Sequence, residues 1–528
     1  MNTHDIEERA RAALAELTAL RAQDAPTHGG RILSYVYDPG LAILDDVAAA
    51  AARQVQSING LDPTVFSSVA RMEQDLITLG RTVFHGPTTV GSVTSGGTES
   101  CLLAVKSARD AAGAAPGAAS MVLPTTAHAA FLKAADLFGV RAIRVPVSPV
   151  TTAVDPASVA AAIDADTVLI VASAPNYPTG TLDPIADIAD IARSESIEFH
   201  VDACLGGFAL PWWQDVPPWD FRVPGVTSLS ADLHKYGYAP KGSSLLLYTN
   251  RDRHRAQYFS LTDWPGYPVV NPTLLGSRSA GGLAAAWAVS KTLGDAGFGE
   301  LVATVESVTQ RLLGAFASIP GLRVVGAPTG PVFAVAADED AAEPVDPHRW
   351  GSAMAELGFT VQAQPRFTQT DGSVLPATAH LTITPVTATV AEEFIEAAGR
   401  AAADVAGAPP AAAPPALAEL AAAFDAGTVT VADALALPSD AAEQVLLGAG
   451  IDPHAGGADQ LDMPAIIAAV ESLPRPITAR LLAEFLAAYC SPTADSAAVD
   501  PANTDPANDG SVDVDSATEA PEHDSDRS

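Results

Sequence analysis

Apolar positions recur at helical spacing over three N-terminal stretches of the chain. These stretches cover residues 5–23, 41–56 and 67–79, and turn-forming residues separate them. The spacing predicts amphipathic helices, because residues three and four apart lie on one face of a helix. We therefore expect residues 1–82 to form an N-terminal arm with helices, in which the Gly29-Gly30 pair breaks the helical pattern before a short segment at 32–36.

Between about Val83 and Trp287 the pattern changes to short β-rich runs that alternate with helical ones. The runs that we interpret as strands are residues 121–123, 142–145, 168–172, 197–201, 228–230 and 244–248. Parallel strands covered by helices on both faces give such apolar runs. We expect residues 83–295 to form a large α/β domain with a mostly parallel sheet.

The remaining part of the chain carries four different patterns. Helical spacing alternates with β-like runs at 322–325, 332–336 and 380–383, which predicts a smaller α/β domain over residues 296–405. The Ala/Pro segment 406–415 is typical of a linker, and helical periodicity predicts a helical appendage over 416–490. Residues 491–528 hold ten Asp or Glu against one Arg, so we expect a disordered acidic tail, or alternatively a protein-interaction element.

The charge and the hydropathy of the chain exclude several classes of function. The formal net charge of −33 argues against sequence-independent binding to nucleic acid or to an anionic membrane surface, because both require positive patches. The sequence contains no uninterrupted apolar run of about 18 residues and no basic N-terminal stretch that leads into an apolar core. We expect a cytoplasmic protein without a membrane span that acts on a small molecule.

Cysteine and lysine are both scarce. Cys101, Cys204 and Cys490 fall in three different regions without a metal-like spacing, so we expect neither a disulfide framework nor a metal site. The five lysines are Lys106, Lys133, Lys235, Lys241 and Lys291. Few residues are therefore available for chemistry that needs an ε-amino group.

Two motifs in the first half of the large domain suit a phosphorylated aromatic ligand. T-S-G-G-T-E-S at residues 94–100 precedes a helical run, and its glycines with a helix N-terminus would favour a phosphate dianion. His128 follows a predicted strand, at the edge where open α/β sheets bind ligands, and could stack on a flat ring. Taken alone, the first motif could be only a turn and a helix cap, and the second a surface or capping histidine.

Two further motifs supply the groups that pyridoxal 5′-phosphate (PLP) chemistry needs. Asp202 ends the predicted strand 197–201, where a carboxylate can keep a pyridine nitrogen protonated, and the small Ala203 would let the ring lie flat. A helix cap is the alternative for Asp202. Lys235 follows another strand and could form an imine with an aldehyde, provided that burial lowers its pKa. Together the four motifs predict a PLP site.

The same motifs resemble those of the sphingosine-1-phosphate lyases, which are fold-type I PLP enzymes related to the group II decarboxylases. The segments that carry the resemblance are T-S-G-G-T-E-S, H-A-A-F, H-V-D-A-C-L-G-G-F and S-A-D-L-H-K-Y-G-Y-A-P-K-G-S-S. The resemblance extends over about residues 32–400. It implies an aspartate aminotransferase-like large domain with a mostly parallel, seven-stranded sheet.

The resemblance also implies roles for individual residues. Lys235 would form the internal aldimine, Asp202 would pair with the pyridine nitrogen, and His128 would stack on the ring. The residues that would hold the cofactor phosphate are Gly97, Thr98 and His234, with Gly276 and Ser277 from the other subunit of a homodimer with shared sites. The residues that would line the substrate entrance are Tyr236, Tyr238 and Lys241. A tyrosine such as Tyr236, or the freed Lys235, could act as an acid or base.

Two residues bear on the choice of substrate. Where the lyases have a His-Pro pair that helps to bind a substrate phosphate, this chain has Asp62-Pro63, and an acid would repel a phosphate dianion. Arg366 lies in the predicted small domain and could bind the carboxylate of an amino acid. We predict a carbon–carbon lyase that cleaves a 2-amino-3-hydroxy substrate by a retro-aldol reaction, with an amino-acid decarboxylase or a catalytically silent scaffold as alternatives.

Overall fold

A computed structural model of the chain describes residues 3–22, 24–454 and 462–492, so the predicted acidic tail lies almost entirely outside the described residues. The α-helices are α1 (Thr3–Arg21), α2 (Ala42–Gln54), α3 (Ser67–Val83), α4 (Gly97–Ala111), α5 (Ala129–Phe138), α6 (Pro156–Ala162), α7 (Ile185–Glu195), α8 (Arg251–Gln257), α9 (Gly281–Phe316), α10 (Pro347–Glu356), α11 (Ala391–Val405), α12 (Pro415–Asp425), α13 (Val431–Leu435), α14 (Ser439–Gly448), α15 (Met463–Ser472) and α16 (Arg475–Tyr489). Among the described residues, these helices are all too short or too polar to cross a bilayer.

The strands form two larger sheets and two hairpins. They are β1 (Val90–Thr94), β2 (Ala119–Pro124), β3 (Val140–Val145), β4 (Thr167–Ser173), β5 (Glu198–Asp202), β6 (Ser228–Ala231), β7 (Ser244–Tyr248), β8 (Phe259–Leu261), β9 (Val269–Asn271), β10 (Leu322–Val324), β11 (Val332–Ala337), β12 (Gln362–Gln364), β13 (Phe367–Thr368), β14 (Val374–Leu375) and β15 (Thr378–Thr382). In the short segment at 32–36, Ile32 forms an isolated bridge with Thr360.

The central sheet has seven strands in the order β1-β7-β6-β5-β4-β2-β3. Strands β2 to β6 pair in parallel, whereas β7 is antiparallel to both β6 and β1. The predicted fold class is therefore confirmed, and each of the six predicted strands overlaps an observed one. The sequence pattern missed β1, which holds Gly91. A Cβ on Gly91 would lie 2.1 Å from the carbonyl oxygen of Leu246, so glycine is what allows β7 to approach.

The parallel strands are buried on both faces, which aligns their carboxyl ends at one edge of the sheet. Residues of β2 are all buried, and β4 and β5 are buried along nearly their whole length. The register pairs Ser173 at the end of β4 with Asp202 at the end of β5. His128 and Lys235, which lie in the segments that follow β2 and β6, therefore reach the same edge as Asp202 at the end of β5.

A second, antiparallel sheet has the order β10-β11-β15-β12 and packs against α10. Three of its strands agree with the predicted runs at 322–325, 332–336 and 380–383, and β12 was missed. The long helix α9 connects the two sheets and bends at Gly294, whose φ of 58° lies in the left-handed region that glycine adopts readily. The boundary predicted between residues 295 and 296 comes directly after this bend.

The chain divides into two compact units. The first comprises Met1–Ala421 with Leu461–Leu473, and it contains both sheets and α15. The second comprises Ala422–Gln460 with Pro474–Ser528, and within it α13 and α14 pack against α16. Leu446, Ile477 and Leu481 are buried in this second unit. It has a small apolar core of its own.

A buried acid in the first unit predicts a pH-dependent stability. Burial raises the pKa of Asp183 to about 7, although its carboxylate accepts a 2.8 Å hydrogen bond from the Ser173 backbone N–H. An acid whose pKa is raised on folding stabilises the folded state below its unfolded pKa of about 4, and this stability is lost as the pH rises through about 7. We expect Asp183→Asn to abolish this loss.

The measurement is denaturant unfolding of wild type and Asp183→Asn between pH 5 and 8. The free energy of unfolding of the variant, relative to that of wild type, should increase by a few kcal/mol as the pH rises across this range. Asp187→Asn, at an exposed position of α7, is the control and should run parallel to wild type. A constant difference between wild type and Asp183→Asn at all pH values would refute the assignment.

Candidate active site

A cavity of about 340 Å³ lies at the carboxyl edge of the central sheet. Its walls come from the segment between β1 and α4, the turn after β2, the ends of β4 and β5, and the loop after β6. The residues that line it are Ser95, Gly96, Gly97, Thr98, Glu99, Cys101, His128, Ser173, Pro175, Tyr177, Asp202, Cys204, Leu205, Asp232, His234 and Lys235. Six residues predicted from the sequence are thus brought together.

The glycine-rich motif forms the N-terminal end of α4. Gly96 adopts a φ of 151°, and a Cβ on Gly97 would lie 2.7 Å from Asp232 Oδ2 and 2.9 Å from Cys204 Sγ. Both positions therefore require glycine. The free N–H groups at the start of this 15-residue helix face the cavity region, which is the arrangement that favours an anion such as phosphate.

Glu99 ties this loop to a second segment of the chain. One of its carboxylate oxygens accepts a 2.6 Å hydrogen bond from the Ser95 N–H, and the other accepts a 2.7 Å bond from the Leu274 N–H. Glu99 is buried. A single carboxylate therefore connects the glycine-rich motif at residues 94–100 with the segment that leads to Gly276 and Ser277.

His128 lies in the turn after β2 and faces the cavity. It is also the N-cap of α5, since its Nδ1 accepts a 3.2 Å hydrogen bond from the Ala130 N–H. This bond makes Nδ1 the acceptor and leaves the ring proton on Nε2. Withdrawal from bulk solvent lowers the pKa of His128, so the ring is neutral at physiological pH. The capping explanation and the proposed ring-stacking role are thus compatible.

Asp202 is the last residue of β5 and is almost completely buried. Its Oδ1 accepts a 3.0 Å hydrogen bond from the Cys204 N–H, which fixes the carboxylate at the cavity wall. The chain forms turns after Asp202 until the 3-10 helix Leu210–Trp212, so the alternative prediction of a helix cap is wrong. Ala203, which was predicted to lie against the ring, is fully buried and is not among the residues that line the cavity; its N–H donates to the Ser230 carbonyl oxygen.

Lys235 forms an ion pair with a buried acid that the sequence analysis did not assign. Its Nζ lies 3.0 Å from Asp232 Oδ2, and His234 Nε2 lies 3.5 Å from the same oxygen. Burial disfavours the charges of both partners, yet the charge of Lys235 holds the pKa of Asp232 below its usual value. The position of Asp232, three residues before Lys235, was visible in the S-A-D-L-H-K motif.

The expectation that the pKa of Lys235 is lowered is wrong. Burial does act in that direction, but the Asp232 carboxylate and the buried Tyr37 outweigh it and raise the pKa well above its usual range. The amine is therefore held as an ammonium group. It must lose a proton before it can attack an aldehyde.

Two tyrosines near Lys235 were also missed. Burial raises the pKa of Tyr37 to about 12, and Tyr37 belongs to the N-terminal arm, which is distant in sequence. Tyr177 lines the cavity and stacks on His380 of the second sheet, with ring centroids 4.3 Å apart. Sequence spacing alone contains no signal for Tyr37, because only the fold brings it to this edge.

The three residues predicted at the substrate entrance lie outside the cavity lining of the described chain. Tyr236 is fully buried, and its hydroxyl donates a 2.8 Å hydrogen bond to the Ile383 carbonyl oxygen. Tyr238 is buried, and its hydroxyl has no partner among the described residues. Lys241 is exposed. Its Nζ donates to the His234 carbonyl oxygen at 3.2 Å and lies 4.4 Å from the centroid of the Tyr37 ring.

Four further predicted residues are also placed away from this cavity. Ser277 accepts a 3.2 Å hydrogen bond from Asn59 Nδ2, and Gly276 precedes it. Asp62 lines a separate cavity of about 510 Å³ and accepts hydrogen bonds from the Thr64 N–H and hydroxyl at 2.9 and 2.6 Å. Arg366 is exposed, and its backbone N–H donates to Glu471.

The close contacts of Gly97 predict that Gly97→Ala impairs cofactor binding. The added Cβ must displace Asp232 or Cys204, which we expect to lower the free energy of unfolding by about 1–3 kcal/mol and to weaken PLP binding at least about tenfold. The affinity for PLP is measured by titrating the protein with PLP and recording the absorption of the bound cofactor. Gly314→Ala in α9, with open space at its Cβ, is the matched control and should leave PLP binding unchanged. Wild-type affinity in Gly97→Ala would contradict the assignment.

Comparison with known proteins agrees with this arrangement. The family model described as "Pyridoxal-dependent decarboxylase conserved domain" matches residues 59–262. The chain is 42% identical to the sphingosine-1-phosphate lyase of Dictyostelium discoideum, over 53% of this chain and 54% of that protein. It is 34% identical to a probable L-tyrosine/L-aspartate decarboxylase of Methanocella arvoryzae, over 56% of this chain and 77% of that protein. The chain thus spans about half the length of the Dictyostelium lyase.

A solved structure extends the similarity. The sphingosine-1-phosphate lyase of Burkholderia pseudomallei is 33% identical and superimposes with a TM-score of 0.68, covering 81% of this chain and 94% of that chain. The resemblance inferred from the four motifs is therefore confirmed at the level of the fold and of the sequence.

Proposed function

This chain belongs to the pyridoxal-dependent decarboxylase family, on the branch of the sphingosine-1-phosphate lyases, and from that membership we propose that it is a PLP-dependent carbon–carbon lyase. The proposed substrate is a 2-amino-3-hydroxy compound, which a retro-aldol reaction splits into an aldehyde and an aminoalkyl product. The observation that carries the proposal is the single cavity in which Lys235, Asp202, His128 and the glycine-rich loop converge.

The residues of the cavity fit PLP. Gly97, Thr98 and His234 would hold its phosphate, at a helix N-terminus where a Cβ on Gly97 has no room. Asp202 would face the pyridine nitrogen and His128 the flat side of the ring. Lys235 is the one lysine among the lining residues, so it is the group that would bind the aldehyde.

When bound, PLP supplies an electron sink for the bond that breaks. The Asp202 carboxylate, fixed by the Cys204 N–H, would keep a proton on the pyridine nitrogen. Lys235 must give up its proton to react, and the freed amine can then take the hydroxyl proton of the substrate. Tyr177 is a second candidate for this proton transfer because it lines the cavity, whereas the Tyr236 hydroxyl already donates to Ile383.

Two observations favour the lyase over the decarboxylase. A decarboxylase that binds the substrate carboxylate through Arg366 would need that side chain at the cavity, yet it is exposed and outside the described lining. The 42% identity to the Dictyostelium sphingosine-1-phosphate lyase also exceeds the 34% identity to the probable decarboxylase. The 34% identity to a probable decarboxylase keeps decarboxylation as the second candidate.

Product analysis tests the proposal. The PLP-loaded protein is incubated separately with a phosphorylated sphingoid base, with 3-hydroxy amino acids, and with tyrosine and aspartate, and both aldehyde and CO₂ are quantified. We expect aldehyde from at least one 2-amino-3-hydroxy compound. Release of CO₂ alone would replace the lyase by a decarboxylase, and absence of both products together with absence of PLP absorption would favour a silent scaffold.

We also propose a homodimer with shared active sites, in which Gly276 and Ser277 reach the phosphate site of the other subunit. In support, these residues lie outside the lining of their own cavity, and exposed apolar side chains surround them, with Val270, Leu274 and Leu275 each about half exposed. Exposure of such an apolar surface to water is unfavourable, and contact with a second chain would bury it.

Mixed dimers test this arrangement. A Lys235→Ala chain and a Gly276→Trp chain are each expected to be inactive as homodimers. Coexpressed, they should regain activity, because one site of the mixed dimer then combines an intact lysine with an intact loop. If the mixture stays inactive while size-exclusion chromatography shows mixed dimers, the loop does not act between subunits.

A cytoplasmic location completes the proposal. Cys101, Cys204 and Cys490 are free thiols, which suits a reducing compartment. Fractionation of the producing cells would test it, and recovery of the protein outside the cytoplasmic fraction would contradict it.

A further inference from the structure

Two thiols and a carboxylate meet in the wall of the cofactor cavity. Cys101 Sγ, Cys204 Sγ and a carboxylate oxygen of Asp202 all lie within 4.8 Å of one another. The three side chains are between 1% and 6% exposed. The wide spacing of the cysteines along the chain predicted no metal site, but the fold brings Cys101 and Cys204 together.

The neighbours of the two cysteines hold them in place. Cys101 lies in the second turn of α4, which packs against β5, and Cys204 lies two residues after the end of β5. Cys204 Sγ lies 3.2 Å from Ser230 Oγ, to which its S–H donates. A Cβ on Gly97 would lie only 2.9 Å from the same sulfur. This three-residue group, which we name the thiol cluster, is therefore part of the rigid wall.

We propose that the thiol cluster binds one thiophilic divalent cation, such as Zn²⁺ or Cd²⁺, when the cofactor is absent. Zinc takes cysteine sulfur at about 2.3 Å and carboxylate oxygen at about 2.0–2.2 Å in a tetrahedron, which places its ligand atoms roughly 3.5–3.8 Å apart. The side chains reach this geometry by shifts of about 1 Å. Each thiol releases its proton to solvent on binding, and water in the cavity supplies the fourth ligand.

The charge around the thiol cluster suits a cation. Two thiolates and the Asp202 carboxylate carry three negative charges, and Asp232 adds a fourth close by. Lys235 is the positive group in this part of the cavity, and it is already paired with Asp232. A divalent ion therefore lowers the unfavourable charge that deprotonated cysteines would create there.

The cation and PLP compete for the same place. Asp202 cannot bind a metal and face the pyridine nitrogen at once, so each ligand excludes the other. This competition rests on the proposed function, whereas cation binding to the cofactor-free chain does not.

Cadmium titration tests the inference. The full-length protein is freed of PLP, kept under a phosphine reductant so that no disulfide forms, and titrated with Cd²⁺ while the ultraviolet thiolate-to-cadmium band is recorded. We expect one Cd²⁺ per chain in wild type and in Cys490→Ser, whose thiol is exposed and outside the cluster. Cys101→Ser and Cys204→Ser should each lose the band. Protein reloaded with PLP before the titration should also lack it.

The outcomes are separable. Absence of the band in cofactor-free wild type that still regains PLP absorption would overturn the inference, and so would an unchanged band in Cys101→Ser. A folded Cys101→Ser chain is verified by far-ultraviolet circular dichroism. A cadmium band in PLP-loaded wild type as intense as that in PLP-free wild type would contradict binding of the cation and PLP at the same place. Failure of wild type to take up PLP at all would instead count against the proposed function, because the cadmium measurement does not depend on it.

Discussion

Lys235→Ala is expected to abolish the visible absorption of protein-bound PLP and to lower turnover at least about 1,000-fold. Lys235 is the one lysine that lines the cavity, so no other ε-amino group in the lining can replace it. The visible spectrum after incubation with PLP, and the rate of aldehyde formation, measure the two effects. Lys133→Ala, at an exposed position of α5, is the control and should behave as wild type.

Loss of the fold must be separated from loss of chemistry in this variant. Lys235→Ala leaves the Asp232 carboxylate buried without its 3.0 Å partner, and breaking a buried ion pair from one side costs about 3–5 kcal/mol. The double variant Lys235→Ala with Asp232→Asn removes that charge and should recover part of the stability without recovering activity. Visible PLP absorption in either variant would show that another lysine binds the cofactor.

Asp202→Asn is expected to lower kcat by roughly 100- to 10,000-fold, while the protein stays folded and keeps Lys235 available for PLP. The amide keeps an oxygen that can accept the Cys204 N–H, but it cannot hold a proton on the pyridine nitrogen by charge. Steady-state kinetics and the visible spectrum together measure this. Asp187→Asn is again the control.

Comparing the change in kcat with the change in KM makes the test of Asp202 specific. Loss of the electron sink should lower kcat far more than it changes KM, because substrate binding does not require the charged ring. A variant with wild-type kcat would remove Asp202 from the mechanism. A variant that fails to bind PLP at any concentration would assign it to cofactor binding instead.

Much of the fold was predictable because it depends on local patterns. Buried parallel strands give apolar runs that stand out between helical segments, and all six predicted runs proved to be strands of the central sheet. The strand β1 escaped because Gly91 and Ser92 interrupt its apolar pattern, and glycine is needed there for close contact with β7. Strand β12 escaped because its sequence, Gln-Ala-Gln, contains no large apolar residue, whereas the equally short β10 is Leu-Arg-Val and was predicted.

The convergence of the four motifs on one cavity was predictable for a related reason. Carboxyl ends of parallel strands share an edge, so motifs that follow β2, β5 and β6 must meet. The contribution of Tyr37 was not predictable, because it comes from the N-terminal arm through tertiary packing. The raised pKa of Lys235 depends on a 3.0 Å distance to Asp232, which sequence spacing does not supply.

Glu99 gives the molecule a means of coupling two events. Its carboxylate accepts hydrogen bonds from both the Ser95 N–H and the Leu274 N–H. Order in the glycine-rich motif at residues 94–100 therefore stabilises order in the 274–277 segment, and the reverse also holds. In a dimer with shared sites, this makes cofactor loading and subunit association reciprocal: PLP tightens the dimer by the same factor by which dimerisation tightens PLP. Dilution of the protein should then release the cofactor, and excess PLP should hold the subunits together.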